Sequence, residues 1–231
     1  MITRFFFLIL AAATCCAAEP QSFDTSWITA TPEVLTYRST GKQGDGLYQV
    51  SVWKTADGIE LYINIITPGF TKSVSGTMAP DLYPRESKGR IVVDGQIIMT
   101  TDCTYKPGQI HIATLMIPYN RTVEDTLPLS KFVVDFSQIP LLPRTLPLKP
   151  GAEFKFDSLN PQSNALVPLT YRVIKEEMIH GAMCCKVEAS DFEGQSTLWI
   201  EKSKPHRAMR IEQQGRVTEL IPTPPGATAP Q

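Results

Sequence analysis

"RIVVDGQIIMTTDCTY" (90–105) and "GQIHIATLMI" (108–117) decide the fold class. Apolar and polar residues alternate on both sides of Asp94-Gly95, and again beyond Pro107-Gly108. Side chains of a strand point to opposite faces in turn, so a period of two marks a half-buried strand. Asp-Gly between two such runs is a strong short-range signal for a two-residue hairpin. The two stretches therefore predict three antiparallel strands in a row.

The same pattern extends outward. "VLTYRST" (34–40), "GLYQVSVWK" (46–54) and "GIELYINIIT" (58–67) alternate in the same way, with turn signals at Gly41 to Gly46, Asp57-Gly58 and Pro68-Gly69. The first half reads as a meander. "EFKFD", "LVPLTYRVIKEEMI", "AMCCKVEAS", "QSTLWIEKS", "RAMRIEQQ" and "RVTELI" resume the pattern later, with turns at Glu193-Gly194, Lys204-Pro205 and Gly215. Between the halves, "DFSQIPLLPRTLPLKPG" (135–151) carries Pro140, Pro143, Pro147 and Pro150 among leucines. Proline removes a ladder donor, so this stretch cannot be a central strand and reads as a helical turn or an apolar crossover lying over the sheet. No helix-period segment of twelve residues stands out. The expected fold is mainly β: a single large curved antiparallel sheet of the open half-barrel type, with a short Pro-rich apolar cover segment.

The ends have their own chemistry. "MITRFFFLILAAATCCAAEP" places Arg4 before an apolar run that closes on small residues, the pattern of a secretory signal peptide over 1–18. Residues 19–32 read as a linker, 33–221 as the β domain and 222–231 as a disordered tail. Export to a periplasmic or extracellular location is expected, and a lipid anchor at Cys15 is a weaker reading because Ala12, Ala13 and Thr14 match a lipobox poorly. No other segment is apolar and long enough to span a bilayer of roughly 30 Å. A formal charge of −1 lacks the basic face that phosphate neutralisation needs, which argues against nucleic acid.

Few residues suggest chemistry. The chain has no GxSxG elbow, HExxH helix, P-loop or GxGxxG turn. Ser39 and Lys42 match Ser-x-x-Lys, but in a Gly-rich connection and not on the helical turn that would bring them together. Glu176-Glu177 reads as a solvated rim, and "EKSKPHRAMR" (201–210) as a basic hairpin tip. "NRT" (120–122) is a glycan acceptor only in a eukaryotic source. Strand parity puts Cys185 on the apolar face with Met183, Val187 and Ala189, and leaves Cys184 on the other; Cys103 is inward in its own strand. An oxidising compartment makes a bridge from Cys103 to Cys185, or to Cys184, one reading and three inert thiols the other. Such a bridge closes a loop of about 80 residues, worth roughly 4 kcal/mol in the chain-entropy model. His111, His180 and His206 lie in separate segments, so neither a metal nor another cofactor is expected.

The surplus of apolar residues is the remaining clue. Leu127, Leu129, Leu141, Leu142, Leu146 and Leu148 could close the core of a curled sheet, or enclose a pocket. In the second case Leu141, Leu142, Leu146 and Trp199 are the expected lining for a lipid or another apolar small molecule.

"LPRTLPLKPGAEFKFD", "YRVIKEEMIHGAMCCKVEASDFEG" and "LWIEKSKPHRAMRIEQQGRVTELI" resemble an exported bacterial family known as domain of unknown function 3108. The ending is also similar to the periplasmic lipoprotein-localisation carriers. The resemblance implies an unclosed, strongly curved antiparallel sheet around an apolar interior, which in the carriers accepts acyl chains. The long N-terminal helix of a carrier is missing here, and no site residues carry over. The expected function is that of an exported cell-envelope protein without catalytic activity, binding an apolar ligand in the concave face. The alternatives are a structural or protein–protein module with a filled core and an unrecognised hydrolase.

Overall fold

The computed structural model describes residues 22–42 and 44–222, so the expected signal peptide and all but the first residue of the expected tail lie outside the described residues. The first half supplies β1 (Glu33–Thr40), β2 (Gly46–Lys54), β3 (Ile59–Thr67), β4 (Phe70–Met78), β5 (Pro84–Val93), β6 (Gln96–Lys106), β7 (Gln109–Met116) and β8 (Arg121–Pro128). After the short β9 (Val133–Val134), the second half supplies β10 (Glu153–Asn160), β11 (Ala165–Ile179), β12 (Ala182–Asp191), β13 (Gly194–Glu201), β14 (Ala208–Gln213) and β15 (Arg216–Leu220). All fifteen form one sheet in the order β8-β7-β6-β5-β4-β3-β2-β1-β15-β14-β13-β12-β11-β10-β9. Each half is a meander, and the antiparallel β1–β15 pair joins the two. Among the described residues, only β9 against β10 is parallel. The sheet is not closed into a barrel, in keeping with the open curved sheet expected from the sequence.

The turns follow local chemistry. Asp94 and Gly95 both have positive φ, at 48° and 78°, as the twist-matched two-residue hairpin requires. The alternation fails to mark β4, "FTKSVSGTM", and β8, "RTVEDTLP". β8 is a sheet edge, and Arg121, Glu124, Asp125 and Pro128 along it discourage pairing with another chain. β9, at the other edge, has only two residues.

The Pro-rich segment is drawn inside the curl, where it acts as a plug instead of lying over the sheet. From Val133 to Leu146 nearly every residue is buried, including a 3-10 turn at Leu142–Arg144. Both halves of the sheet hold it. Asp135 accepts hydrogen bonds from Ser87 Oγ of β5 at 2.7 Å, Tyr105 Oη of β6 at 2.5 Å and the Ser137 N–H at 2.7 Å. Gln138 receives the Asp135 N–H and donates to the Leu82 carbonyl at 2.6 Å. On the opposite side Tyr171 of β11 donates to the Ile139 carbonyl at 3.1 Å. Arg144, 2% exposed, pairs with Glu33, donates to the carbonyls of His206 and Pro205, and lies 4.2 Å from the Trp27 ring centroid. These bonds offset much of the cost of burying polar groups, although Arg144 Nη1 and Trp27 Nε1 are buried without a partner among the described residues.

Gly76 of β4 exists for the plug. A Cβ there would overlap the Ser137 Oγ, whereas one on Gly89 would meet the Phe136 ring at an ordinary 3.4 Å. Gly76→Ala should therefore cost about 1–3 kcal/mol of stability as an overpacked site. Gly89→Ala should cost less than about 1 kcal/mol, and urea denaturation midpoints of the two variants check the difference.

Burial pushes the Asp135 carboxyl above its ordinary range despite the donors facing it. Its native form thus binds a proton more tightly than the unfolded chain, whose Asp titrates at about 3.9. The stabilisation is complete below that value and fades as pH rises through the raised native pKa. The stability of wild type relative to Asp135→Asn should be more favourable at pH 4 than at pH 8, measured by urea unfolding; a pH-independent difference would refute this.

Candidate functional site

Antiparallel hairpins place successive turns at alternate ends of a sheet. The connections 41–45, 68–69, 94–95, 192–193 and 214–215 consequently share one end, and the plug leaves that end unfilled. Above the plug's Phe136, Ile139 and Pro140 lies a cavity of about 200 Å³. Ile63 and Val74 line it from the first half, Leu198 and Ile211 from the second. That volume far exceeds the roughly 10–15 Å³ one water needs, yet falls below the roughly 300–1,000 Å³ typical of sites for drug-sized ligands.

Charged groups surround the mouth. Lys72 of β4 reaches across to Glu193, in the β12–β13 turn, with Nζ 2.8 Å from Oε1. The Glu193 carbonyl also accepts the Gln214 side-chain N–H at 2.6 Å. Asp191 accepts the Glu193 N–H at 2.7 Å, and burial raises its pKa above the usual value. Arg216, at the start of β15, donates from Nη1 to Ser39 Oγ at 3.1 Å and to the Gly44 carbonyl at 3.3 Å. Ser39 in turn shares a 2.9 Å hydrogen bond with Thr218. Ser39, whose Ser-x-x-Lys match with Lys42 lacks the helical turn that pair needs, has its hydroxyl engaged by Thr218 and Arg216 instead.

None of the residues expected to line a pocket lines this chamber, although Leu146 borders a second cavity beside Leu148, Lys149 and Cys185. Leu141, Leu142 and Leu146 are 1%, 0% and 7% exposed in the lower plug and belong to the core. Trp199 faces the outside of the sheet. Leu198 and Ile200 occupy the core, so parity turns the residue between them outward. There its indole N–H donates to Glu177 at 2.5 Å, with Lys186 and Arg210 each 5.4 Å from the ring centroid. The basic tip is likewise paired: Lys202 with Glu176, Lys204 with Asp24 and Arg207 with Glu201.

The Cys103–Cys185 bridge weighed from the sequence is not formed. Cys103, Cys184 and Cys185 are all free thiols, and all are buried. Cys185 Sγ faces the Leu148 carbonyl at 3.7 Å, whereas Cys103 lies beside Ser87 and Asp135, so each meets a different part of the plug. Cys184, expected to be the more exposed of the adjacent pair, is 0% exposed because it sits in register between Glu177 and Glu201. Met183, expected inward, is 43% exposed in the β11–β12 hairpin. Burial, reinforced by Asp135, pushes the Cys103 thiol up to about 12; burial, with Glu201 next, pushes Cys184 up to about 11. Such thiols present little thiolate at neutral pH. In native protein they should resist a thiol-reactive disulfide probe, and all three should be alkylated in denaturant without reductant. A Cys103–Cys185 linked peptide in the mass spectrum would contradict the assignment.

Among the described residues no three His, Cys, Asp or Glu side chains gather as a metal set, and no helix is long and apolar enough to cross a membrane. The fold and cavity define a class: an open, curled, fully β sheet with an internal plug and an apolar chamber above it. No protein-family model matches the chain, and no curated protein matches it.

Proposed function

We propose that the protein is an exported, non-catalytic binding protein that holds an apolar or amphipathic small molecule in the chamber above the plug. The observation that carries this reading is the lining: aliphatic and aromatic side chains from both halves of the sheet meet around unfilled space, while polar and charged groups are concentrated at its mouth. Ligand sites commonly combine a mostly apolar wall with a few polar groups that fix orientation. The buried groups that could bear chemistry, Asp135, Tyr105 and Cys103, lie deeper in the core, with the Tyr105 hydroxyl and the Asp135 carboxylate bonded to each other. Export is inferred from the leader-like residues 1–18.

A structural module with a filled core is the second reading, favoured by how completely the plug occupies the lower half. Binding measurements separate the two. A fluorescent fatty acid should bind purified, delipidated protein and be displaced by an unlabelled one. Ile63→Trp and Leu198→Trp, which fill the chamber, should each weaken binding at least tenfold while the far-ultraviolet spectrum is preserved. Absence of binding, together with no apolar molecule in native mass spectra of the purified protein, would leave the structural reading.

A further inference from the structure

The charges at the mouth are not equivalent. Lys72 and Glu193 neutralise each other at 2.8 Å. Asp191 is held by an N–H group of its own turn. Arg216 differs from these three: its hydrogen bonds run from Nη1 to neutral oxygens of Ser39 and Gly44, and no carboxylate lies within ion-pair distance among the described residues. A guanidinium offers five donors in a planar fork that matches a carboxylate or phosphate. Here it stands at the edge of an apolar chamber, where charge-assisted bonds are stronger than in bulk water.

The hydroxyls beside it add to this preference. Ser39 and Thr218 share one hydrogen bond, 2.9 Å long, and both line the chamber. Two hydroxyls joined by a single bond still hold one O–H to donate. Arg216, Ser39 and Thr218 lie on the adjacent strands β1 and β15, so rigid ladder pairs and not a loop fix their spacing.

We propose that the chamber takes a single-chain amphiphile with an anionic head, its short tail against Ile63, Val74, Phe136 and Leu198 and its head bound by Arg216 beside the Ser39–Thr218 pair. This rests on the chamber being a ligand site. The volume of about 200 Å³ suits a tail shorter than that of a membrane lipid. A neutral head leaves the guanidinium's remaining donors unused, and a cationic head is repelled by Arg216, the cation of the mouth with no carboxylate partner among the described residues.

Calorimetry with four ligands that share a ten-carbon chain, each below its micellar or solubility limit, tests the proposal on delipidated full-length protein. Decanoate, decyl phosphate or both should bind at least tenfold more tightly than decanol, with decyltrimethylammonium weakest. The stronger of the two anions identifies a fatty-acid or a phosphate-headed source. Arg216→Gln should bring the anions to the level of decanol and leave decanol itself unchanged. Decanol binding as tightly as both anions in the wild type would overturn the head-group assignment without any variant, and so would anion binding that survives Arg216→Gln. In either case the chamber would remain a ligand site. If none of the four binds, the chamber reading and the head-group assignment fall together.

Discussion

Four residues, 129–132, connect the last strand at one edge of the sheet to the strand at the other edge. Laid flat, fifteen strands at about 4.8 Å spacing would be about 67 Å wide. The connection from Pro128 to Val133 reaches at most about 18 Å. The curl is thus imposed by the chain itself, and twist alone need not produce it. Aromatic packing secures this seam: Phe132 lies 5.4 Å from Phe23 and 6.2 Å from Phe156 between ring centroids, and 6.4 Å from Tyr83.

A sheet curled to that width has a concave face that its own side chains cannot fill. The plug supplies the missing interior, but it brings irregular backbone with it. Buried backbone groups must find partners, which explains why the plug is rich in side chains bonded to main chain. Gln138 closes on the Asp135 N–H and Leu82 carbonyl, Thr145 on the Leu142 carbonyl, and Tyr171 on the Ile139 carbonyl. Asp135 is the costly member, because its charge is disfavoured by burial. Its donors come from β5, β6 and the plug itself, so the same contacts that offset the burial also fix the plug's height. That height determines how much space remains above Phe136.

The strands that alternate were legible in the sequence because their pattern is local. β4 was not: its inward set includes Gly76, a residue whose lack of a side chain makes sense only with Ser137 opposite, 61 positions along the chain. Trp199 lies on the outer face because Leu198 and Ile200 claim the core face, and it is buried there, 6% exposed, beneath charged neighbours and not beside a chamber. Leu141 and Leu142 sit below the chamber in the plug's buried level, since nothing in "PLLPRTLPL" reveals how deep a chain enters a concavity. Arg216 and Lys72 could not be singled out among other strand-end cations. Their partners are Ser39 and Glu193, reached only through the β1–β15 pairing and across the mouth.

The β1–β15 pairing has a consequence for orientation. β1 runs toward the mouth and β15 runs away from it, so the chain both enters the sheet at Glu33 and leaves it at Leu220 on the plugged end. The segment before β1 stays at that end, where the Asp24 N–H bonds to the Thr145 carbonyl and Lys204 pairs with Asp24. An attachment at the described ends, near Ser22 or Pro222, would hold the molecule by its base. The chamber would then point away from the point of tethering, like a cup set on its foot.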